Sequence, residues 1–237
     1  MVFQNSGEIA EVKYCLPSDE EIGGNVHPRY PNSRQIREEI HKQLNIVDAM
    51  EPDYYTGGAV LRIEDLHTAD MINYKLKTCV KCNGIVTTKE FMKENKMGVF
   101  GRSSDCLMTA IITPDEVWML HVSCEALNNG IMLTTPTFSL PFDSFAILGP
   151  CISQKNYWLS EDVAKERLSN FETLGYSEFL KQEGNKTYVD IKGIVLKELE
   201  KRNISVVFND SRCTYDSNLG SHRLKNGRAN PIYLWVE

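Results

Sequence analysis

The feature of the sequence that most constrains the fold is a set of short runs rich in β-branched and apolar residues. These runs occupy residues 59–63, 84–88, 107–113, 117–122, 145–148, 204–208 and 232–236. Runs of this length and composition are typical of β-strands. Helical periodicity is rarer and predicts helices over 32–45, after Ser160 and over 190–203. Because strands outnumber helices and do not alternate with them, we predict an α+β sandwich and not a doubly wound parallel sheet.

Two of these runs flank a turn that predicts a β-hairpin. Pro114 and Asp115 separate 107–113 from 117–122, and this dipeptide is a common turn signal. An antiparallel hairpin at this point sets Cys106 and His121 near the same end of two adjacent strands. The sequence therefore predicts that a thiol and an imidazole from separate segments lie close together.

Three short segments end in residues that bind soft or borderline metals. They are Ile63-Glu64-Asp65-Leu66-His67, Ser104-Asp105-Cys106 and Met119-Leu120-His121. Two imidazoles and one thiolate suit Zn²⁺ or copper, with one coordination position open for water or substrate. A buried thiol and a core histidine on adjacent strands are the alternative interpretation of Cys106 and His121.

Composition limits the class of protein. The net charge of −6 over 237 residues, without a basic stripe, argues against nucleic-acid binding. The first residues lack an apolar signal-peptide core, and no apolar run is long enough to span a bilayer. Seven cysteines without a regular spacing indicate a reduced, cytoplasmic protein. No linker, repeat or charge block interrupts the chain, which predicts a single domain over 1–237.

Several blocks of the sequence, in order from about residue 58 to the C-terminal end, resemble one known family. The blocks are Asp65-Leu66-His67-Thr68, Asn83-Gly84-Ile85-Val86-Thr87, Ser104-Asp105-Cys106, Leu120-His121, Gly149-Pro150-Cys151-Ile152 with Tyr157, Cys213-Thr214-Tyr215, and Ser221-His222-Arg223 with Gly227-Arg228. They are similar to the bacterial laccase-domain family. That family was long labelled multicopper polyphenol oxidase and was later recognised as purine nucleoside phosphorylases with adenosine deaminase activity.

The resemblance implies a fold, a metal centre and a reaction. The fold is a four-layer α/β/β/α sandwich related to the catalytic domain of cytotoxic necrotizing factor toxins. The metal, Zn²⁺ with copper as the alternative, is held by His67, Cys106 and His121. The implied substrates are a purine nucleoside and phosphate, in adenosine deamination, nucleoside phosphorolysis or both. Asp105 is a candidate for orienting a ligand or transferring a proton, and Arg223 and Arg228 are candidates for binding phosphate.

One of the departures from the family pattern follows its second histidine. Where the family reads Ala-Gly-Trp-Arg-Gly after its second histidine, this chain has Val122-Ser123-Cys124-Glu125-Ala126. A positive charge is thereby replaced by Glu125. Because phosphate is an anion, this exchange predicts that phosphorolysis is impaired more than deamination.

Two other functions fit the same residues. Without a metal, Cys106 with His121 as its base forms a nucleophilic pair suited to acyl chemistry, which corresponds to a peptidoglycan-precursor editing hydrolase. A diverged member of the family that binds a metal or a nucleoside without turnover is the third possibility.

Overall fold

The computed structural model describes residues 5–16, 33–52, 57–65, 81–134, 143–226 and 228–237. Its strands are β1 Asn5–Ile9, β2 Val12–Leu16, β3 Asp48–Met50, β4 Val60–Ile63, β5 Gly84–Thr88, β6 Met97–Ser103, β7 Leu107–Ile112, β8 Glu116–Val122, β9 Phe145–Leu148, β10 Trp158–Ser160, β11 Leu180–Glu183, β12 Lys186–Val189, β13 Ser205–Asn209 and β14 Asn230–Val236. Its α-helices are α1 Ser33–Leu44, α2 Lys89–Asn95, α3 Cys124–Asn128, α4 Ile131–Thr134, α5 Glu161–Arg167 and α6 Ile191–Glu200. Short 3₁₀ turns occupy Gln154–Asn156 and Ser177–Phe179.

The strands form two large mixed sheets and one small sheet. The first large sheet has six strands in the order β13-β9-β7-β8-β5-β4, and the second has five in the order β1-β2-β14-β6-β3. The small sheet is β10-β12-β11. In the six-stranded sheet, β13 with β9 and β4 with β5 run parallel, whereas the central pairs are antiparallel.

Alternating side chains bury both faces of the six-stranded sheet. On β8, Val117 and Met119 belong to a core shared with Leu234 of the five-stranded sheet. The intervening Trp118 belongs to a second core, which includes Ile194 of α6. A period of two along a strand sends neighbouring side chains to opposite faces, so β8 is apolar on both.

The far face of the five-stranded sheet is covered by α1. Ile40 and Leu44 of this helix pack in one cluster with Phe100 and Tyr233 of the sheet. Helix, sheet, sheet and helix therefore follow one another, which confirms the predicted α+β class and its α/β/β/α layers. Among the described residues, no helix has the length and apolar character needed to cross a membrane.

The predicted hairpin is confirmed as β7 and β8. Met108 pairs with His121 across the two antiparallel strands, and Leu107 pairs with Val122. The turn is closed by the Thr113 N–H, which donates to the Glu116 carbonyl at 2.9 Å. The end of the hairpin opposite this turn carries the candidate site.

The strand β6 was not predicted from the sequence. Its segment, Met97–Ser103, contains Gly98 and Gly101, which lower strand propensity. A Cβ on Gly101 would lie 2.4 Å from Met108 Cε and 2.6 Å from the Met119 sulfur. Glycine therefore leaves room for these two methionine side chains where the two sheets pack together, which a single strand's sequence does not reveal.

The helix that begins after Ser160 is shorter than predicted. The spacing of Val163, Leu168 and Phe171 predicts one helical face that continues to Phe171, but α5 ends at Arg167 with Leu168 as its C-cap. Phe171 is nevertheless fully buried, in the core beneath the helices. Its burial comes from the turns that follow α5, so the apolar spacing predicted the contact correctly and the helix end wrongly.

Candidate functional site

A cleft of about 710 Å³ opens at the end of the β7–β8 hairpin. Asp105, Cys106, His121 and Arg223 all line it, although they come from distant parts of the sequence. Residues of β10 and α5 form the facing wall. Four of the six residues predicted for the site are therefore brought to one cavity.

The hairpin register places the thiol and the imidazole together. Cys106 immediately precedes β7, two residues before Met108, which pairs with His121. His121 is on β8 and continues the side-chain row of Met119, on the sheet face opposite Trp118. This confirms the expectation that both residues lie at the same end of adjacent strands.

Burial keeps both groups uncharged in the absence of a cation. Burial raises the pKa of the Cys106 thiol well above its ordinary value, and the neighbouring Cys124 and Glu125 raise it further. Burial also lowers the pKa of His121 to about 4, with a smaller contribution from the positive charge of Arg102. A neutral imidazole is the form that coordinates a metal, and a bound cation offsets the cost of a buried thiolate. The donor chemistry of the pair therefore fits Zn²⁺ or copper.

The third predicted ligand, His67, lies outside the described residues. Within 5–16, 33–52, 57–65, 81–134, 143–226 and 228–237, no group of three histidine, cysteine or acidic side chains is close enough to hold an ion. Since the predicted set needs His67, its convergence with Cys106 and His121 stays a prediction.

Asp105 anchors the loop that forms one side of the cleft. Its Oδ1 accepts hydrogen bonds from Thr214 Oγ1 at 2.7 Å and Ser221 Oγ at 2.8 Å. Its Oδ2 accepts the backbone N–H of Arg223 at 2.8 Å. Only 7% of Asp105 is exposed. A buried carboxylate with three donors is a positioning group for this loop, whereas its predicted action on a metal ligand or a proton stays a prediction.

Arg223 is held against two aromatic rings. Its guanidinium carbon lies 5.0 Å from the ring centre of Trp158 and 5.4 Å from that of Tyr157. One of its Nη atoms also donates to the Trp158 carbonyl. Cation–π contacts of this kind fix a guanidinium without neutralising it. Arg223 therefore presents a positioned positive charge to the cleft.

Arg228, the second predicted phosphate ligand, does not line the cleft. Its Nη1 donates to the Asn218 carbonyl at 3.2 Å, and its own carbonyl accepts from Ser104 Oγ at 2.5 Å. The exposed Arg228 thus braces the loop from outside. Gly227, which precedes it in the family block, lies outside the described residues.

The segment that departs from the family pattern begins a helix. Ser123 caps α3 by accepting from the Ala126 N–H at 3.1 Å, so Cys124 is helical and not part of an extended strand. Glu125 faces the cleft and forms an ion pair with Arg167 of α5, with Nη1 and Oε1 2.8 Å apart. Sequence reasoning missed Arg167, because nothing in its local pattern distinguishes it from an ordinary surface charge.

Cys213 differs from Cys15, Cys106, Cys124 and Cys151, whose thiols all have a raised pKa. Burial would raise its pKa, but hydrogen bonds outweigh this effect and lower it. The donors include the Ser153 N–H at 3.2 Å and Asn156 Nδ2 at 3.4 Å. Burial dominates instead at Cys124 and Cys151, and raises the pKa of each to about 12.

We expect Cys213 to react first with iodoacetamide among the cysteines that the structure describes. The thiolate is the nucleophile, and Cys213 combines a lowered pKa with partial exposure. Peptide mapping after brief labelling at pH 8 measures the order of modification. Labelling of Cys124 or Cys151 ahead of Cys213 would contradict this expectation.

Solved structures share this fold over nearly their whole length. The hypothetical protein YfiH of Bacillus licheniformis matches with a TM-score of 0.76 and 17% identity, over 95% of this chain and 93% of that one. YlmD from Geobacillus stearothermophilus matches with a TM-score of 0.74 and 15% identity, over 95% and 91%. Protein NMB0706 of Neisseria meningitidis matches with a TM-score of 0.73 and 15% identity, over 98% of both chains.

A family model also matches the sequence directly. It is described as multi-copper polyphenol oxidoreductase laccase and covers residues 54–232. No curated protein matches the chain. The matched region includes the hairpin, the Asp105 loop and both walls of the cleft.

Proposed function

This chain belongs to the multi-copper polyphenol oxidoreductase laccase family, and we propose that it is a metal-dependent enzyme acting on purine nucleosides. The proposed reactions are adenosine plus water giving inosine and ammonia, and nucleoside plus phosphate giving free base and ribose 1-phosphate. The observation that carries the proposal is the cleft in which Cys106 and His121 lie beside the cationic side chain of Arg223.

The residues proposed to hold the metal are His67, Cys106 and His121. When bound, a zinc or copper ion held by thiolate and imidazole ligands supplies a Lewis acid and a hydrolytic nucleophile at neutral pH. The chain's own contribution is positioning. Asp105 fixes the loop that carries Arg223, and Arg223 supplies a guanidinium whose planar donors match the oxygens of phosphate.

The size and polarity of the cleft support a small substrate. A volume of about 710 Å³ falls within the range of small-molecule sites. Arg223 and Lys225 line the same cavity as the aromatic residues Tyr157 and Trp158. This combination of apolar and cationic surface suits an uncharged base and sugar together with an anion.

The direct test is turnover by the purified protein. Adenosine, inosine and guanosine are supplied with and without inorganic phosphate, and released base, inosine and ammonia are measured. Release of base only with phosphate indicates phosphorolysis, whereas inosine formation without phosphate indicates deamination. Metal content is measured on the same preparation. Bound metal with no turnover of any nucleoside would support the non-catalytic alternative and overturn the proposal.

The metal-free hydrolase alternative is distinguished by the same preparation. A cysteine nucleophile needs a thiolate, and burial raises the pKa of Cys106 and lowers that of its prospective base His121. Hydrolysis of a peptidoglycan precursor by metal-free protein would favour this alternative over the nucleoside reaction.

Removal of the metal should abolish nucleoside turnover. We expect dialysis against a chelator to lower activity by more than about tenfold. Loss of a single group that hydrogen-bonds to a metal ligand already lowers metal affinity or activity by about 10–100-fold. Adding back Zn²⁺ or copper should restore it. His222→Ala is the matched control, because His222 lines the cleft but is outside the proposed ligand set. Loss of metal from that variant, with retention in His121→Ala, would show that the ligand set is wrong.

A further inference from the structure

A second guanidinium, that of Arg167, lines the same cleft as Arg223. Arg167 is the last residue of α5, and its Nη1 lies 2.8 Å from Glu125 Oε1. Both members of this pair line the cavity that contains Cys106 and Arg223. The Arg167 side chain is 42% exposed and that of Glu125 is 20% exposed. The pair is thus accessible to a ligand in the cleft and is not sealed in the core.

Both guanidiniums act on the same buried thiol. Burial raises the pKa of Cys124 to about 12, and the hydrogen bond with Tyr157 opposes this. The charges of Arg167 and Arg223 also lower this pKa, whereas Glu125 raises it. Arg167, Arg223 and Glu125, which line one cleft, therefore all contribute to its electrostatics.

The two carboxylates that line the cleft, Asp105 and Glu125, differ in how strongly their own contacts hold them. Asp105 is buried and accepts three hydrogen bonds, from Thr214, Ser221 and the backbone N–H of Arg223. An anion in the cleft would therefore not displace it. Glu125 contacts Arg167 through one ion pair, and both side chains of this pair are partly exposed to solvent. Exposed ion pairs are weak, typically about 0–1 kcal/mol, so another anion can replace Glu125 at small cost.

We propose that Arg167 is an anion-binding residue of this cleft and that Glu125 holds its guanidinium there until an anionic substrate takes the place of the carboxylate. A tetrahedral oxyanion such as phosphate has enough acceptor oxygens to bind both Arg167 and Arg223, which line the same cleft. This inference rests on the proposed function for the identity of the anion. It changes the expected role of Glu125 from simple repulsion of phosphate to competition with phosphate for Arg167.

Titration calorimetry with inorganic phosphate tests the role of Arg167. Arg167→Gln should weaken phosphate binding by about tenfold, the usual effect of losing one charged hydrogen bond. Arg167→Lys should recover part of this loss, because it keeps the charge but not the planar fork. The matched control is Lys165→Gln. Lys165 lies on the same helix and forms an exposed ion pair with Glu161, with Nζ and Oε1 2.8 Å apart. Its replacement should therefore leave phosphate affinity unchanged.

A double-mutant cycle tests the competition by Glu125. Glu125→Gln should tighten phosphate binding several-fold in the native background and have little effect in the Arg167→Gln background. Equal gains in both backgrounds would show that Glu125 repels phosphate directly, which overturns the competition. Native affinity in Arg167→Gln, with an unchanged thermal midpoint, would overturn the assignment of Arg167.

The test of Arg167 can fail or succeed independently of the proposed nucleoside reactions. Loss of phosphate affinity in Arg167→Gln stands whether or not any nucleoside is turned over. Conversely, if the assignment of Arg167 fails, phosphate-independent deamination of adenosine is untouched, because that substrate is uncharged. If the enzyme is phosphorolytic, Arg167→Gln should raise the KM for phosphate and leave the deamination rate as it is.

Discussion

Replacing Cys106 by alanine should abolish turnover and strip the metal while the fold remains intact. Loss of a group that only orients a metal ligand lowers metal affinity or activity by about 10–100-fold. Because Cys106 is proposed to bind the metal directly, we expect its loss to lower turnover by more than about 100-fold. Cys106 precedes β7, lines the cleft and belongs to none of the three apolar core clusters. The thermal midpoint of the metal-free protein should therefore change little. Activity, metal content and thermal midpoint are measured on one preparation.

Cys15→Ala is the control for loss of a packed thiol. Cys15 is 1% exposed on β2, in the core beneath α1 and far from the metal ligands in the sequence. Its removal should lower stability without changing activity per folded molecule. If Cys106→Ala behaves like this control, retaining activity in proportion to its folded fraction, then Cys106 is a structural thiol and the metal proposal fails.

Replacing Asp105 by alanine should produce the largest loss of stability among the site residues. Three donors would lose their acceptor: Thr214 Oγ1, Ser221 Oγ and the Arg223 N–H. Hydrogen bonds to a charged group contribute about 1.5–3 kcal/mol each, and their effects are not additive. We expect a fall of about 3 kcal/mol or more in the free energy of unfolding. Chemical denaturation measures it.

The same change should also affect binding through Arg223. With its loop released, Arg223 loses its fixed position over Trp158, so the KM for phosphate should rise at temperatures where the variant is folded. Asp115→Ala, which removes an exposed carboxylate in the β7–β8 turn, should change neither quantity. A stability loss at Asp105 no larger than at Asp115 would contradict the anchoring role.

The sequence alone determined the elements whose signals are local. The β7–β8 hairpin was predictable because a Pro-Asp turn separates two apolar runs. The helix α6 was predictable from its apolar periodicity, and the structure adds the cap, Asp190, which accepts from the Gly193 N–H at 2.8 Å. Juxtaposition of Cys106 and His121 followed from the hairpin alone. The family-ordered blocks then predicted the sandwich, whose layers depend on burial patterns that each strand carries in its own sequence.

Only the tertiary structure decided which charges meet. Glu125 and Arg167 lie on separate helices, and their 2.8 Å contact depends on how α5 packs across the cleft. Asp105 was expected to act on a ligand or a proton, but the fold brings to it three donors from more than 100 positions further along the chain. The strand β6 was hidden for a related reason, since its Gly101 leaves room for methionine side chains of the sheet that packs against it. Local propensity cannot report contacts between segments that are distant in sequence, and in this protein those contacts set the electrostatics of the cleft.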